Sequence, residues 1–159
     1  MLACVTDGGH MQLQSGWLML VEKPQGQRNE SIANGIGIVF GSPSSTDKFI
    51  LSSSEAKGGE STATKRCSGD GYLVAFALKY YRIDKQRRAV SNIKFLCSTG
   101  EYLEGDGEKR GSFEGMSETC PDGIVAYKTF RHRGRSEDYK WAFWSDILFH
   151  CFQSHVKWG

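Results

Sequence analysis

The chain has 159 residues, a formal net charge of +2, 39% apolar residues and 24% charged ones. That is the size and balance of one globular domain with its own core, not of a disordered polyelectrolyte. The longest apolar run, Tyr72 to Leu78, is seven residues, too short for a transmembrane helix, which needs roughly 18 or more.

The predicted elements, in chain order, are strands. Met1-Leu2-Ala3-Cys4 has neither the basic start nor the apolar core of a signal peptide, so the chain reads as cytosolic or as an already processed form. The first apolar run is Gly16-Trp17-Leu18-Met19-Leu20-Val21. A polar loop with Lys23 and Arg28 follows, and within it Asn29-Glu30-Ser31 is an N-glycosylation acceptor pattern at Asn29. The next strand, Asn34-Gly35-Ile36-Gly37-Ile38-Val39-Phe40, sets Ile36, Ile38 and Phe40 on one face, the period-2 pattern of a half-buried strand. Gly41-Ser42-Pro43-Ser44-Ser45, Gly58-Gly59 and Gly105-Asp106-Gly107 read as turns, joining weaker strands at Lys48–Leu51 and Glu101–Leu103.

The pattern then recurs. Gly71-Tyr72-Leu73-Val74-Ala75-Phe76 leads through a loop to Ser91-Asn92-Ile93-Lys94-Phe95-Leu96-Cys97. Gly123-Ile124-Val125-Ala126-Tyr127 leads to Ser145-Asp146-Ile147-Leu148-Phe149-His150-Cys151. The glycines lie 55 and 52 residues apart, and Ile36, Ile93 and Ile147 lie 57 and 54 apart. Two landmarks with one period indicate three copies of a sheet-forming unit. The expectation is an all-β single domain, 1–159, with pseudo-repeats over about 1–45, 46–100 and 101–155, its sheets arranged around a pseudo-threefold axis.

Four of the five cysteines fit this repeat. Cys67 and Cys120 each precede a Gly strand, and Cys97 and Cys151 each lie four residues after a repeat isoleucine. Cys67–Cys97 and Cys120–Cys151 are therefore equivalent pairs, and both are expected to be disulfides, each closing its own repeat. A zinc site is the rival, but no Cys-x-x-Cys or paired-His spacing supports it. Buried thiols are the remaining alternative. The places equivalent to the pair in the first repeat are read as Leu13 (or Gln12) and Phe40, which leaves Cys4 unmatched. Persisting disulfides imply an oxidising compartment, so the chain is expected to be secreted and extracellular.

No catalytic motif, cofactor motif or metal pattern stands out. Glu101, Glu104, Asp106, Glu114 and Glu118 cluster in sequence as the candidates for a glycosidase-type carboxylate pair, and a solvated loop is the plainer reading. His10, His132, His150 and His155 are scattered. Charge placement is more informative. Lys23, Arg28, Arg82, Lys85, Arg87, Arg88, Arg131, Arg133, Arg135 and Lys140 fall between the Gly and Ile strands of the three repeats, and they are half of the 20 Lys and Arg. In a pseudo-threefold prism these loops share one end, and a basic rim there attracts polyanions in a salt-dependent way. Tyr80, Tyr81, Tyr139 and Trp141 flank the loops as candidate sugar-stacking rings. The candidate anionic-glycan site is thus Arg82, Lys85, Arg87, Arg88, Arg131, Arg133, Arg135, Tyr139 and Trp141. Solubility is the competing explanation, since Glu22, Asp84, Glu137 and Asp138 partly neutralise the rim. Nucleic acid and membrane insertion are not expected.

Val21-Glu22-Lys23-Pro24-Gln25-Gly26 followed by Ala33-Asn34-Gly35-Ile36, together with Ser91–Cys97, Cys120-Pro121-Asp122-Gly123 and the opening Val5-Thr6-Asp7-Gly8-Gly9, resembles the vitelline membrane outer layer protein family over nearly the whole chain. The first repeat departs from the pattern in lacking a cysteine pair and in a shortened stretch from His10 to Ser15. The family's acidic loop is also replaced by basic residues in the second and third repeats. The resemblance implies a β-prism of type I, with three four-stranded antiparallel sheets. It implies an extracellular structural or protective role beside coat proteins, and it carries the family's credited glycan binding or transfer as further possibilities.

Overall fold

In the computed structural model, residues 2–3, 14–22, 32–40, 50–54, 60–133 and 142–152 are described. Their regular elements are all strands: β1 (Leu2–Ala3), β2 (Gln14–Glu22), β3 (Ile32–Phe40), β4 (Ile50–Ser54), β5 (Glu60–Ser61), β6 (Lys65–Arg66), β7 (Leu73–Arg82), β8 (Arg88–Cys97), β9 (Tyr102–Glu104), β10 (Ile124–Arg133) and β11 (Ala142–Cys151). The weak strands expected at Lys48–Leu51 and Glu101–Leu103 correspond to β4 and β9, each displaced toward the C-terminus.

Three antiparallel sheets form, each around one long hairpin: β2–β3, β7–β8 and β10–β11. β4 flanks β3, and β9 flanks β8. The opposite edge of each sheet is closed by chain that leads into another hairpin. β5 and β6 pair with β2. Glu114, Ser117 and Cys120 donate their backbone N–H groups to the carbonyls of Leu78, Phe76 and Val74, so this irregular segment runs along the free edge of β7 in the place of a further strand. The N-terminal β1 pairs with β10 and closes the ring of sheets.

The register reveals the threefold relation in detail. Each hairpin bulges twice at equivalent places. One bulge passes over Ser15, Val74 and Val125. The other passes over Asn34, Ser91 and Ser145. Ser91 and Ser145 donate their hydroxyls to equivalent carbonyls across the hairpin, those of Lys79 and Phe130, each at 3.1 Å. Ile36, Ile93 and Ile147 are equivalent in this register, as the period predicts. The glycines are not. Gly16 occupies the place of Ala75 and Ala126, because it follows the first bulge instead of preceding the ladder. Its role is close approach: a Cβ there would lie 2.3 Å from the carbonyl oxygen of Lys65 in β6.

The central strands β3, β8 and β11 each pack against the other two, which makes the body a three-sided prism. Trp17, Phe76 and Tyr127 are equivalent, and so are their cross-strand partners Ile38, Phe95 and Phe149. The ring of Trp17 meets Phe95 of the second sheet at 4.9 Å, and Phe76 meets Phe149 of the third at 4.5 Å. Phe95 and Phe149 meet edge-on at 5.2 Å. One apolar core is therefore shared by all three sheets, and burial of these rings is its main driving force.

Cys67–Cys97 and Cys120–Cys151 are disulfide-bonded. Their geometry makes them staples between sheets. The Cys67 N–H is bonded to Ser15 of the first sheet while its sulfur is tied to β8 of the second. The Cys120 N–H is bonded to Val74 of the second sheet while its sulfur is tied to β11 of the third. The register also corrects the assignment of the first repeat. Ala3 faces Ala126 as Arg66 faces Gly16. The residue that follows Ala3 in sequence is Cys4, as Cys67 follows Arg66, and the position matching Cys97 and Cys151 is Phe40. Cys4, Gln12 and Leu13 themselves lie outside the described residues.

Candidate functional site

The tip-ward ends of the β2–β3 and β7–β8 hairpins lie at one end of the prism. Near the tips, Ile32 of β3 packs with Ala89 of β8, and mid-strand levels meet at Phe95 and Phe149. The disulfides lie at the opposite end, beside the last residues of β8 and β11. Of the residues nominated for anion capture, Arg82, Lys85, Arg87 and Arg88 form the β7–β8 tip, and Arg131 and Arg133 lie in the last turn-ward stretch of β10. Arg135, Tyr139, Trp141, Lys23, Arg28, Lys140 and the acceptor Asn29 fall outside the described residues.

The β7–β8 tip is built around Asp84. Its carboxylate accepts the backbone N–H groups of Gln86 and Arg87, both at 2.8 Å, and the Arg87 guanidinium at 2.6 Å. The Gln86 N–H and then the Arg87 guanidinium hold the Asp84 carboxyl below the usual carboxylate range. Arg87 is thus part of the turn's own architecture. Arg88 is also engaged: its guanidinium bonds Glu114 at 3.1 Å and lies 3.7 Å above the ring of Tyr80, a cation–π contact. Arg82 stands directly opposite Arg88 across the hairpin. Arg82 and Lys85 are exposed.

Tyr80 and Tyr81, expected to flank the tip as stacking rings, serve packing instead. Tyr80 donates its hydroxyl to Asp146 of β11 at 2.9 Å and so ties the second sheet to the third. Burial, and then this hydrogen bond, raise its pKa above the ordinary tyrosine value. Tyr81 packs against Ile32 and Ala89.

The clustered carboxylates separate into structural duties. Glu101 accepts the Ser68 hydroxyl at 2.6 Å, the Ser68 backbone N–H, and the Thr99 hydroxyl at 2.8 Å. The Ser68 hydroxyl first, then its N–H, lower the Glu101 pKa. Asp106 pairs with Lys65 at 3.2 Å and with Lys109 at 3.7 Å, and Glu114 pairs with Arg88. Glu104 and Glu118 are exposed. Cys67, Cys97 and Glu101 offer ligand atoms within 4.8 Å of one another. The two sulfurs are bonded to each other, however, so neither is the thiolate a metal needs. His150 lies on β11 with Nε2 buried and without a partner among the described residues.

Two polar residues that sequence reasoning passed over organise the outer face of the second sheet. Asn92, fully buried, donates to the carbonyls of Gly105 and Glu108 at 2.9 and 3.2 Å and accepts from Ile93 N–H at 2.9 Å. Lys79, 3% exposed, donates to the carbonyls of Glu108 and Lys109 at 3.1 and 3.3 Å and lies 4.6 Å from the Phe113 ring centre. Together they fasten the 105–113 excursion over the sheet. The visible signal was the Gly105-Asp106-Gly107 turn. Gly107 lies so close to β8 that a Cβ would sit 2.3 Å from the Ser91 carbonyl oxygen.

Comparison with known proteins places this architecture in a family. Residues 8–151 match the family model Vitelline membrane outer layer protein I (VOMI). The chain is 34% identical over 124 residues to the human Vitelline membrane outer layer protein 1 homolog and 31% identical over 119 residues to the mouse one. Each match covers 72% of this chain and 59% of the relative, so the chain spans less than two thirds of the curated relatives it matches. Among solved structures, the crystal structure of Calystegia sepium agglutinin superposes with a TM-score of 0.48 at 16% identity, over 94% of this chain and 95% of that one. The chain belongs to the vitelline membrane outer layer protein family.

Proposed function

We propose that this protein is a secreted, non-catalytic structural or protective component of an extracellular coat or secretion. The observation that carries the reading is the pair of disulfides, which staple the first sheet to the second and the second to the third. Such bonds persist in oxidising compartments. The ring closure by β1 and the shared core support the same reading, and the family name of its relatives points to an egg-coat layer. Fractionation of the source tissue with a specific antibody tests this. The protein belongs in extracellular material, and recovery in the reduced cytosolic fraction contradicts the reading.

A second reading concerns the hairpin-tip end as a surface for anionic or sulfated glycans. Arg82 and Lys85 support it: both are exposed at the β7–β8 tip, with no carboxylate partner among the described residues. Arg131, Arg133 and Arg135 of the neighbouring hairpin extend the same basic end in sequence. Arg87 and Arg88 contribute field, but they are already paired with Asp84 and Glu114. On heparin, the double variant Arg82→Ala/Lys85→Ala elutes at lower salt than the parent. Retention of the parent no stronger than that of a neutral control protein contradicts this reading.

A further inference from the structure

The outer face of the second sheet is half covered. The 105–113 excursion lies over Ala77, Lys79 and Asn92, which are all nearly inaccessible. Its edge is Phe113, whose ring has the Lys79 ammonium at 4.6 Å and the Lys94 ammonium at 4.8 Å. Beyond Phe113 the face is open. There Leu96 of β8 stands opposite Tyr102 of β9, and Lys94 stands opposite Glu104. Alternation puts all four on the outer side, because Ile93, Phe95 and Leu103 between them pack into the core.

Tyr102 is the most exposed large apolar side chain of the described residues, at 57%. Lys94 reaches its ring at 5.4 Å, so the ammonium lies between two aromatic rings and not against Glu104. The Glu104 carboxylate is exposed, with no ion-pair or hydrogen-bond partner among the described residues. The result is a shelf: an apolar floor of the Tyr102 ring and Leu96, a raised lip at Phe113, and a carboxylate with open acceptor sites two residues from the ring.

We infer that this shelf binds a neutral pyranose of a glycan chain, independently of the basic hairpin-tip end. A pyranose has one largely apolar C–H face, which stacks on an exposed ring held from behind by its sheet. Vicinal hydroxyls at the sugar's edge are donors, and a carboxylate with two free oxygens accepts both. Lys94, fixed by the rings, supplies a donor for a ring or glycosidic oxygen. The shelf is shallow and solvent-open, so its affinity is modest and depends on repeated contacts along a chain or between copies.

The test is a titration of the oxidised protein with cellotetraose, maltotetraose and chitotetraose, observed through the Tyr102 ring resonances, with a heparin tetrasaccharide alongside. At least one neutral tetrasaccharide shifts the Tyr102 ring. Tyr102→Ala weakens that binding about tenfold, Tyr102→Phe retains it, and Glu104→Gln weakens it severalfold. An unchanged melting temperature shows that each variant is folded. The inference is overturned if none of the neutral probes moves the Tyr102 ring, if Tyr102→Ala binds as the parent does, or if only heparin shifts it. Heparin retention lost in Arg82→Ala/Lys85→Ala but kept in Tyr102→Ala separates the two surfaces.

Discussion

Replacing Phe95 with Ala probes the shared core at the point where the three sheets meet. Phe95 is inaccessible to solvent, and its ring is 4.9 Å from Trp17 of the first sheet and 5.2 Å from Phe149 of the third. A buried Phe→Ala change costs about 3–5 kcal/mol in lost transfer energy and residual cavity. Two edge-on ring contacts, each worth about 0.5–1.5 kcal/mol beyond area, put this site at the upper end. A loss of about 5 kcal/mol is a large part of the 5–15 kcal/mol or so that holds a domain together. At about 2–4 °C per kcal/mol for a chain of this size, the melting temperature falls by roughly 10–20 °C. Urea unfolding followed by tryptophan fluorescence and by far-ultraviolet circular dichroism is the assay. The midpoint should drop with the slope unchanged, and the two signals should stay coincident, because one core unfolds once. A loss below about 1 kcal/mol, or two separated transitions, would refute a core common to the three sheets.

Further outcomes follow from other sites. Removing both cysteines of the Cys120–Cys151 bond, whose residues are separated by 31 positions, lowers stability by about 4 kcal/mol through the freed loop. The same bond is reduced before Cys67–Cys97 in a stepwise alkylation series, since Cys151 is exposed whereas Cys67 and Cys97 are both buried. Gly107→Ala destabilises by about 1–3 kcal/mol in thermal melts, because its Cβ meets the backbone of Ser91 and cannot displace it cheaply. Asp84 and Glu101 have folded-state pKa values below their unfolded ones, so they stabilise the fold above the unfolded pKa and lose that contribution as pH falls through the folded value. Melting temperature against pH should therefore show a shallower acid decline in Asp84→Asn than in the parent.

The strands were legible because burial writes itself as alternation: Ile93, Phe95 and Cys97 face inward with Lys94 between them. The disulfides were legible because the two cysteine pairs hold equivalent places in the second and third repeats. The repeat glycines misled, since a bulge adds a residue to one strand without any mark in composition, and Gly16 is fixed by its approach to β6 instead. The segment at 114–120 pairs irregularly with β7 and so lacks alternation altogether. At the tip, the pairing of Arg87 with Asp84 is local and its partner was visible three residues away. The pairing of Arg88 with Glu114 spans 26 residues and arises only when the edge segment folds back. The shelf at Tyr102 was hidden for the same reason: its lip, Phe113, and its lysine, Lys94, come together through the turn that Asn92 holds.

The central claim is an oxidised prism whose neighbouring sheets are joined by two disulfides. Peptide mapping of protein from its natural source, alkylated before any reductant is added, tests it most directly. The account predicts one linked peptide pair joining Cys67 to Cys97 and another joining Cys120 to Cys151, with none of the four alkylated. Alkylation of all four in freshly isolated native material would contradict both the stapled prism and the extracellular role built on it.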